Sequence, residues 1–397
     1  MRAKKIYTYC IFAAFFLCAI VYATQGAMLT SWIEHYNLEA AAQGAVGSLQ
    51  SAGMTIALFV LIWQAGRVSK NTIVTVSLIM ITALLLAVSF MPPFALLVAL
   101  FCFIGICYGS ISSLSSSVIA DIYDGEDSSK NMSKLHGIFG IGGLVMPFVY
   151  RGLLNGGIYW NIAIRIIVIL LAAVSVAFII LSRYSLKTVV LPQYSNQKIA
   201  REDLRLFFKR GPNILLILSV LFYGTHQSVI MVWIIRYVEV DLKSPALSAL
   251  SLSLYWAGVT LTRLLIHRIL HASPMKIVVF GNIVAAVAIA SGVLSGSAIA
   301  VAVLMLVMGF ANGTTVPSMI SACCADNDCN TILPTNVMNI SLYTAFFLCP
   351  LAVGALESYA SLKEGMYMSA LFAFLCGLMA LLYLRNTRAA LRPSSNC

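Results

Sequence analysis

His226 is the residue whose type and setting first suggest chemistry. It stands in an apolar run, YGTHQSVIMVWIIRY (residues 223–237), beside Tyr223, Thr225 and Gln227. An imidazole titrates near neutral pH, so His226 could bind a solute or exchange a proton; it could equally hydrogen-bond a neighbouring helix and hold packing. The phrase has an earlier version, YATQGAMLTSWIEHY (residues 22–36), in which Tyr22, Thr24, Trp32, Ile33 and Tyr36 recur 201 positions later. Gln25 there occupies the place of the histidine. Asn312, Asn336, Asn339 and Tyr343 are further polar groups inside apolar runs. Amides both donate and accept hydrogen bonds and rings stack on apolar faces, which suits hydroxyl-bearing or zwitterionic solutes.

Charged candidates are few. Arg165 and Arg236, with Arg151, sit toward one end of their runs. A guanidinium matches a carboxylate or phosphate bidentately, so pointing inward they would make the solute anionic; snorkelling to lipid headgroups is the alternative. Asp121, with His136 in the next run, is expected to relay a proton, to gate an inner mouth, or to cap a helix end. The five histidines are scattered, and no Gly-rich phosphate loop, nucleophile elbow or His-Glu-x-x-His motif occurs. That excludes an ATP-driven pump and the common membrane enzymes. No cofactor is expected, and no metal: Cys323, Cys324 and Cys329 cluster without a neighbouring histidine, short of the usual four-ligand zinc pattern.

The elements that must carry these groups are membrane helices. Of 397 residues, 60% are hydrophobic and only 10% charged, against roughly 25% charged in soluble domains; mean hydropathy is +0.93. Net charge is +11, but the basic residues fall in short connections, so membrane orientation explains them better than nucleic acid. A spanning helix needs about 20 mainly apolar residues. Twelve runs qualify: 6–31, 44–65, 72–90, 94–119, 132–154, 158–182, 213–238, 246–266, 275–294, 298–322, 336–358 and 363–385. Lys4, Lys5, Arg67, Lys70, Lys130, Lys134, Arg268, Lys276 and Arg385 fall on one side, while Glu34, Glu39, Glu239, Asp241 and Glu357 fall on the other, with Lys243 and Lys363 as exceptions. The positive-inside rule then puts both termini in the cytoplasm. Residues 183–212 form the one long break, basic and polar, with an amphipathic piece at Leu204–Phe208 that suits the membrane surface.

The repeat extends beyond the opening phrase. Gly105-Ile-Cys-Tyr-Gly109-Ser110 in the fourth run answers Gly309-Phe-Ala-Asn-Gly313-Thr314 in the tenth, and Ala120-Asp121 answers Ala325-Asp326. Pro147 in the fifth answers Pro350 in the eleventh. Collinear matches at nearly constant offset predict two equivalent six-helix halves, 1–182 and 213–397, joined by the linker 183–212. Parallel repeats of this kind enclose solute sites near the bilayer midplane, and Gly-x-x-x-Gly faces let helices approach closely.

With these features the chain resembles the major facilitator superfamily over nearly its whole length. Ala65-Gly66-Arg67-Val68-Ser69-Lys70 is similar to that superfamily's loop motif of a small residue, Asp, Arg, any residue, Gly and a basic residue; Gly66 replaces the acid of the usual charge latch. Leu135-His136-Gly137-Ile-Phe139-Gly140-Ile-Gly142 with Pro147 is similar to the fifth helix of fucose-permease-like members. The resemblance implies an all-α fold of twelve helices in two pseudo-symmetric bundles, with the first and seventh helices lining the cavity. Tyr22, Gln25, Tyr223, His226, Gln227, Asn312, Asn339, Tyr343, Arg165 and Arg236 are then the expected solute contacts, and Asp121, His136 and Arg67 the expected coupling or gating groups. The expected activity is secondary transport by a single chain in the cytoplasmic membrane, with solute, lipid and protons as partners and no enzymatic step. Proton-coupled import of a small polar or anionic solute is favoured over efflux of a drug or a metabolite such as a siderophore, because Met146-Pro147-Phe148-Val149 lacks the glycines usual in antiporters.

Overall fold

The computed structural model describes residues 2–38, 45–187, 197–269, 272–327, 330–357 and 362–390. Among the described residues there are α-helices and no strand. The first half contains α1 (Arg2–Tyr36), α2 (Ala45–Gln64), α3 (Lys70–Val88), α4 (Phe94–Ile122), α5 (Gly125–Asn155) and α6 (Trp160–Leu186). The connecting α7 (Arg201–Lys209) matches the amphipathic piece expected in the linker. There follow α8 (Gly211–Arg236), which runs into a π-helical turn (Tyr237–Asp241), then α9 (Pro245–Ile269), α10 (Pro274–Ser295), α11 (Ala298–Asn312), α12 (Thr315–Ala325), α13 (Ile332–Glu357) and α14 (Leu362–Ala390).

Nine helical stretches among the described residues are long and apolar enough to cross a membrane, and Leu49–Gln64 and Ile332–Leu348 are shorter apolar helices. Large apolar side chains such as Ile169, Phe280 and Leu294 stand exposed, as hydrocarbon rather than water would require. The chain is therefore an all-α, multi-pass membrane protein.

Local chemistry sets the helix limits. Ser69 caps α3 by accepting the Thr72 amide, and Gly296 ends α10 in the left-handed region, where a residue without Cβ is unstrained. Residues 298–322 read as one continuous helix in the sequence, but the structure interrupts that helix at Gly313–Thr314, with Thr314 at φ −89° and ψ 2°. Two side chains of α9 explain the break. Thr262 donates to the Phe310 carbonyl and Arg263 Nε to the Gly313 carbonyl at 2.8 Å. These donors take carbonyls that the helical ladder would otherwise use, a recognised cause of kinks.

The chain divides into two compact units. One comprises Met1–Tyr123, Ile138–Ile199 and Asp328–Asn336; the other comprises Asp124–Gly137, Ala200–Asn327 and Val337–Cys397. Each is built around the same device, a reciprocal glycine crossing. In the first unit a Cβ on Gly105 would stand 2.1 Å from the Gln50 carbonyl oxygen, and one on Gly53 would stand 2.1 Å from that of Cys102. In the second unit a Cβ on Gly309 would stand 2.1 Å from the Tyr255 oxygen, and one on Gly258 would stand 2.4 Å from the Leu306 oxygen. So α2 lies backbone-to-backbone on α4, and α9 on α11, at corresponding positions. The Gly-x-x-x-Gly echo is the sequence trace of these two contacts.

Candidate functional site

In the first unit, a buried polar knot joins the ends of α3 and α4 to the segment that begins α13. Lys70 is buried and its ammonium group meets Asp121 Oδ2 at 2.6 Å. It also donates to Ser117 Oγ and to Thr331 Oγ1, each at 2.8 Å. Thr331 Oγ1 lies 2.7 Å from Asp121 Oδ1. All three ammonium protons therefore have acceptors, and the carboxylate is held on both oxygens. Desolvating two charges is costly unless such bonds accompany the pair. One turn along, Ser113 donates to Asn336 Oδ1, and Asn336 Nδ2 donates to the Leu58 carbonyl at 2.6 Å.

The loop between α2 and α3 explains why Gly66 departs from the acid of the family motif. Gly66 has φ +70°, and a Cβ there would stand 2.5 Å from the Gln197 backbone. Asn330 Nδ2 binds the Gln197 carbonyl from another direction at 2.7 Å. The linker backbone at Gln197 and Lys198 occupies the space an aspartate would need. Lys70, rather than residue 66, supplies a charge latch, through Asp121. Arg67 stacks over the Trp63 ring at 4.3 Å and takes no part in it.

In the second unit, His226 is fully buried and ties three helices together. Its Nε2 lies 2.9 Å from Asn312 Nδ2, so Nε2 is the acceptor. Nδ1 then carries the proton and donates toward Ser369, with Oγ at 2.8 Å and O at 3.1 Å. The network continues: Thr315 Oγ1 donates to the Asn312 carbonyl at 2.7 Å, and Asn282 Nδ2 donates to Thr315 Oγ1 at 2.8 Å. Asn312 Oδ1 is buried without a hydrogen-bond partner, and the buried hydroxyls of Tyr223 and Tyr255 interact with each other. Arg263 is buried close to those phenols. Its bonds go to the Gly313 carbonyl and, at 3.4 Å, to the His136 carbonyl. No carboxylate of a described residue pairs with it.

The remaining expected residues fall as follows. Tyr22 is 40% exposed and stacks on Tyr108, with centroids 5.8 Å apart, and on Phe139 at 6.3 Å. Thr24 binds the Tyr150 hydroxyl at 2.6 Å. Gln227 and Asn339 are buried, and Tyr343 lies against Phe346. The Arg165 guanidinium meets Ser89 at the end of α3, with Nε 3.3 Å from Oγ, and lies over the Phe90 ring. The side chains of Gln25, Arg151 and Arg236, and the whole of Cys329, lie outside the described residues. Asp121 and His136, expected as one relay, belong to different units; Asp121 is engaged by Lys70 instead. Sequence reasoning missed Lys70 as its partner, together with Ser117, Thr331 and Arg263. Lys70 entered only as the basic position of the loop motif, and nothing in its spacing or in that of Arg263 announces burial.

The comparisons with known proteins agree with this architecture. The crystal structure of FucP, a major facilitator superfamily transporter in the outward conformation, superposes with a TM-score of 0.80 at 12% identity, covering 95% of this chain and 98% of that one. A variant of the E. coli fucose:proton symporter FucP gives 0.74 at 12% identity, with 95% and 98% covered. The human organic anion transporter MFSD10 gives 0.75 at 13% identity, with 95% and 99% covered. At such identities the likeness is one of fold. No curated protein sequence matches. The family model for the Major Facilitator Superfamily matches residues 11–326, most of the chain, and the protein therefore belongs to that superfamily of membrane transporters and is not an enzyme.

Proposed function

We propose that the chain is a secondary transporter that imports a small polar or anionic organic solute with protons across the cytoplasmic membrane, both termini facing the cytoplasm. The halves 1–182 and 213–397, joined by the linker 183–212, would expose one solute site alternately to either side. One observation carries the reading: Asn312 Oδ1 is buried beside His226 without a hydrogen-bond partner. A buried polar group left unsatisfied costs about 1–3 kcal/mol, and polar groups at membrane depth commonly mark substrate paths. A hydroxyl-bearing solute would supply the missing partner. Tyr22, Gln25, Gln227, Asn339 and Tyr343 belong to the same reading, with Arg165 and Arg236 as candidates for a solute's charge. The Lys70–Asp121 knot would act as a gate; Arg67 and His136 are the further coupling or gating candidates.

The test begins with purified protein and a thermal-shift panel of sugars, amino acids, organic acids and siderophores, since a ligand of the folded state raises its apparent stability. For the solute identified, Asn312→Ala is expected to weaken binding about 10- to 100-fold, the equivalent of one or two lost hydrogen bonds. His226→Ala is expected to abolish uptake or its pH dependence while the protein still folds. Unchanged uptake at every pH in both variants contradicts the assignment. Net movement out of cells rather than inward would replace import by efflux.

A further inference from the structure

The groove between α10 and α14 in the second unit has a composition that the transport reading does not use. It is a cleft of about 230 Å³ lined by Lys276, Val279, Phe280, Leu381, Leu384 and Arg385. Two cations stand at one end, four apolar side chains form the rest, and no carboxylate lines it. Neither Lys276 nor Arg385 pairs with an acid among the described residues, and both are exposed. Phe280 is 68% exposed on this surface, which in a membrane helix means contact with acyl chains. The volume is below the roughly 300–1,000 Å³ of small-molecule sites.

A second feature points to the same ligand. Lys276 lies in the first turn of α10, whose N-cap Ser273 makes no side-chain capping bond and whose first residue is Pro274. The helix dipole therefore adds positive potential where the two cations already stand. Basic sites beside apolar grooves between membrane helices suit anionic lipid headgroups.

From this charge complementarity we propose that the groove binds an anionic phospholipid. Its phosphate sits between Lys276 and Arg385, and an acyl chain lies along Val279, Phe280, Leu381 and Leu384. The lipid clasps α10 to α14 from the outside and so stabilises the second unit; this inference does not depend on which solute is carried.

The experiment uses the full-length protein in neutral detergent. Thermal unfolding and native mass spectrometry are recorded with added phosphatidylglycerol, with phosphatidylcholine at equal mole fraction, and with inorganic phosphate. Wild type is compared with Lys276→Gln/Arg385→Gln and with Arg183→Gln/Lys187→Gln, which removes equal charge elsewhere. Phosphatidylglycerol is expected to raise the Tm of wild type and of the second variant by about 2–4 °C. Its binding to Lys276→Gln/Arg385→Gln is expected to be about 30-fold weaker, at one surface cation's contribution per residue lost. Equal responses in both variants would overturn the site. Stabilisation as large with phosphatidylcholine would overturn headgroup recognition, and stabilisation as large with phosphate alone would overturn the lipid as ligand.

Discussion

Lys70→Met is expected to destabilise the folded protein by about 3–5 kcal/mol, the cost of leaving a buried carboxylate without its partner. Asp121 would keep only the hydroxyl of Thr331 in place of an ammonium at 2.6 Å. Asp121→Asn leaves the buried Lys70 ammonium without a counter-charge and is expected to cost a similar amount, reduced by the hydrogen bond its amide oxygen keeps toward Lys70. The double variant Lys70→Met/Asp121→Leu is expected to recover most of the loss, since replacing both ions of a buried pair by apolar groups is often neutral. A double-mutant cycle read by thermal unfolding in detergent gives the coupling directly. A single variant as stable as wild type would show that the ammonium group and the carboxylate do not depend on each other.

Gly105→Val and Gly309→Val form the second case, and the duplicated architecture predicts that they fail alike. The Cβ alone would stand 2.1 Å from a backbone oxygen in each, that of Gln50 or of Tyr255. Backbone cannot rotate aside as a side chain can, so α2 must separate from α4, or α9 from α11. Overpacking costs typically 1–3 kcal/mol where side chains can adjust; here at least about 3 kcal/mol is expected, read as lost yield of folded monomer in detergent. Gly143→Ala serves as the control, because a Cβ there meets nothing within 4 Å. A folded Gly309→Val with an unfolded Gly105→Val would count against equivalence of the two contacts.

Those glycines also show what could be read before the structure. Gly105, Gly109, Gly309 and Gly313 announced themselves by spacing and by recurrence, because close helix approach demands small residues at one-turn intervals. Their partners Gly53 and Gly258 were passed over, although Ala52-Gly53-Met54-Thr55 and Ala257-Gly258-Val259-Thr260 repeat the same pattern 205 positions apart. The spans were legible because hydrocarbon imposes length and apolarity on every helix. The break at Gly313 was not, because it arises from Thr262 and Arg263 on another helix. Gly66 read as a lost acid; its true determinant is a linker backbone some 130 residues away in sequence. His226 was recognisable as a polar group in hydrocarbon, yet Ser369 and Asn312 are brought to it only by tertiary packing.

Solute counterflow in proteoliposomes is the most direct measurement. Vesicles are preloaded with the unlabelled solute found by thermal shift, and labelled solute is added outside without ATP or an ion gradient. Alternating access predicts a transient accumulation of label above its external concentration, saturable and diminished in Asn312→Ala. Label that merely equilibrates, without overshoot or saturation, would indicate an open pore and contradict a carrier.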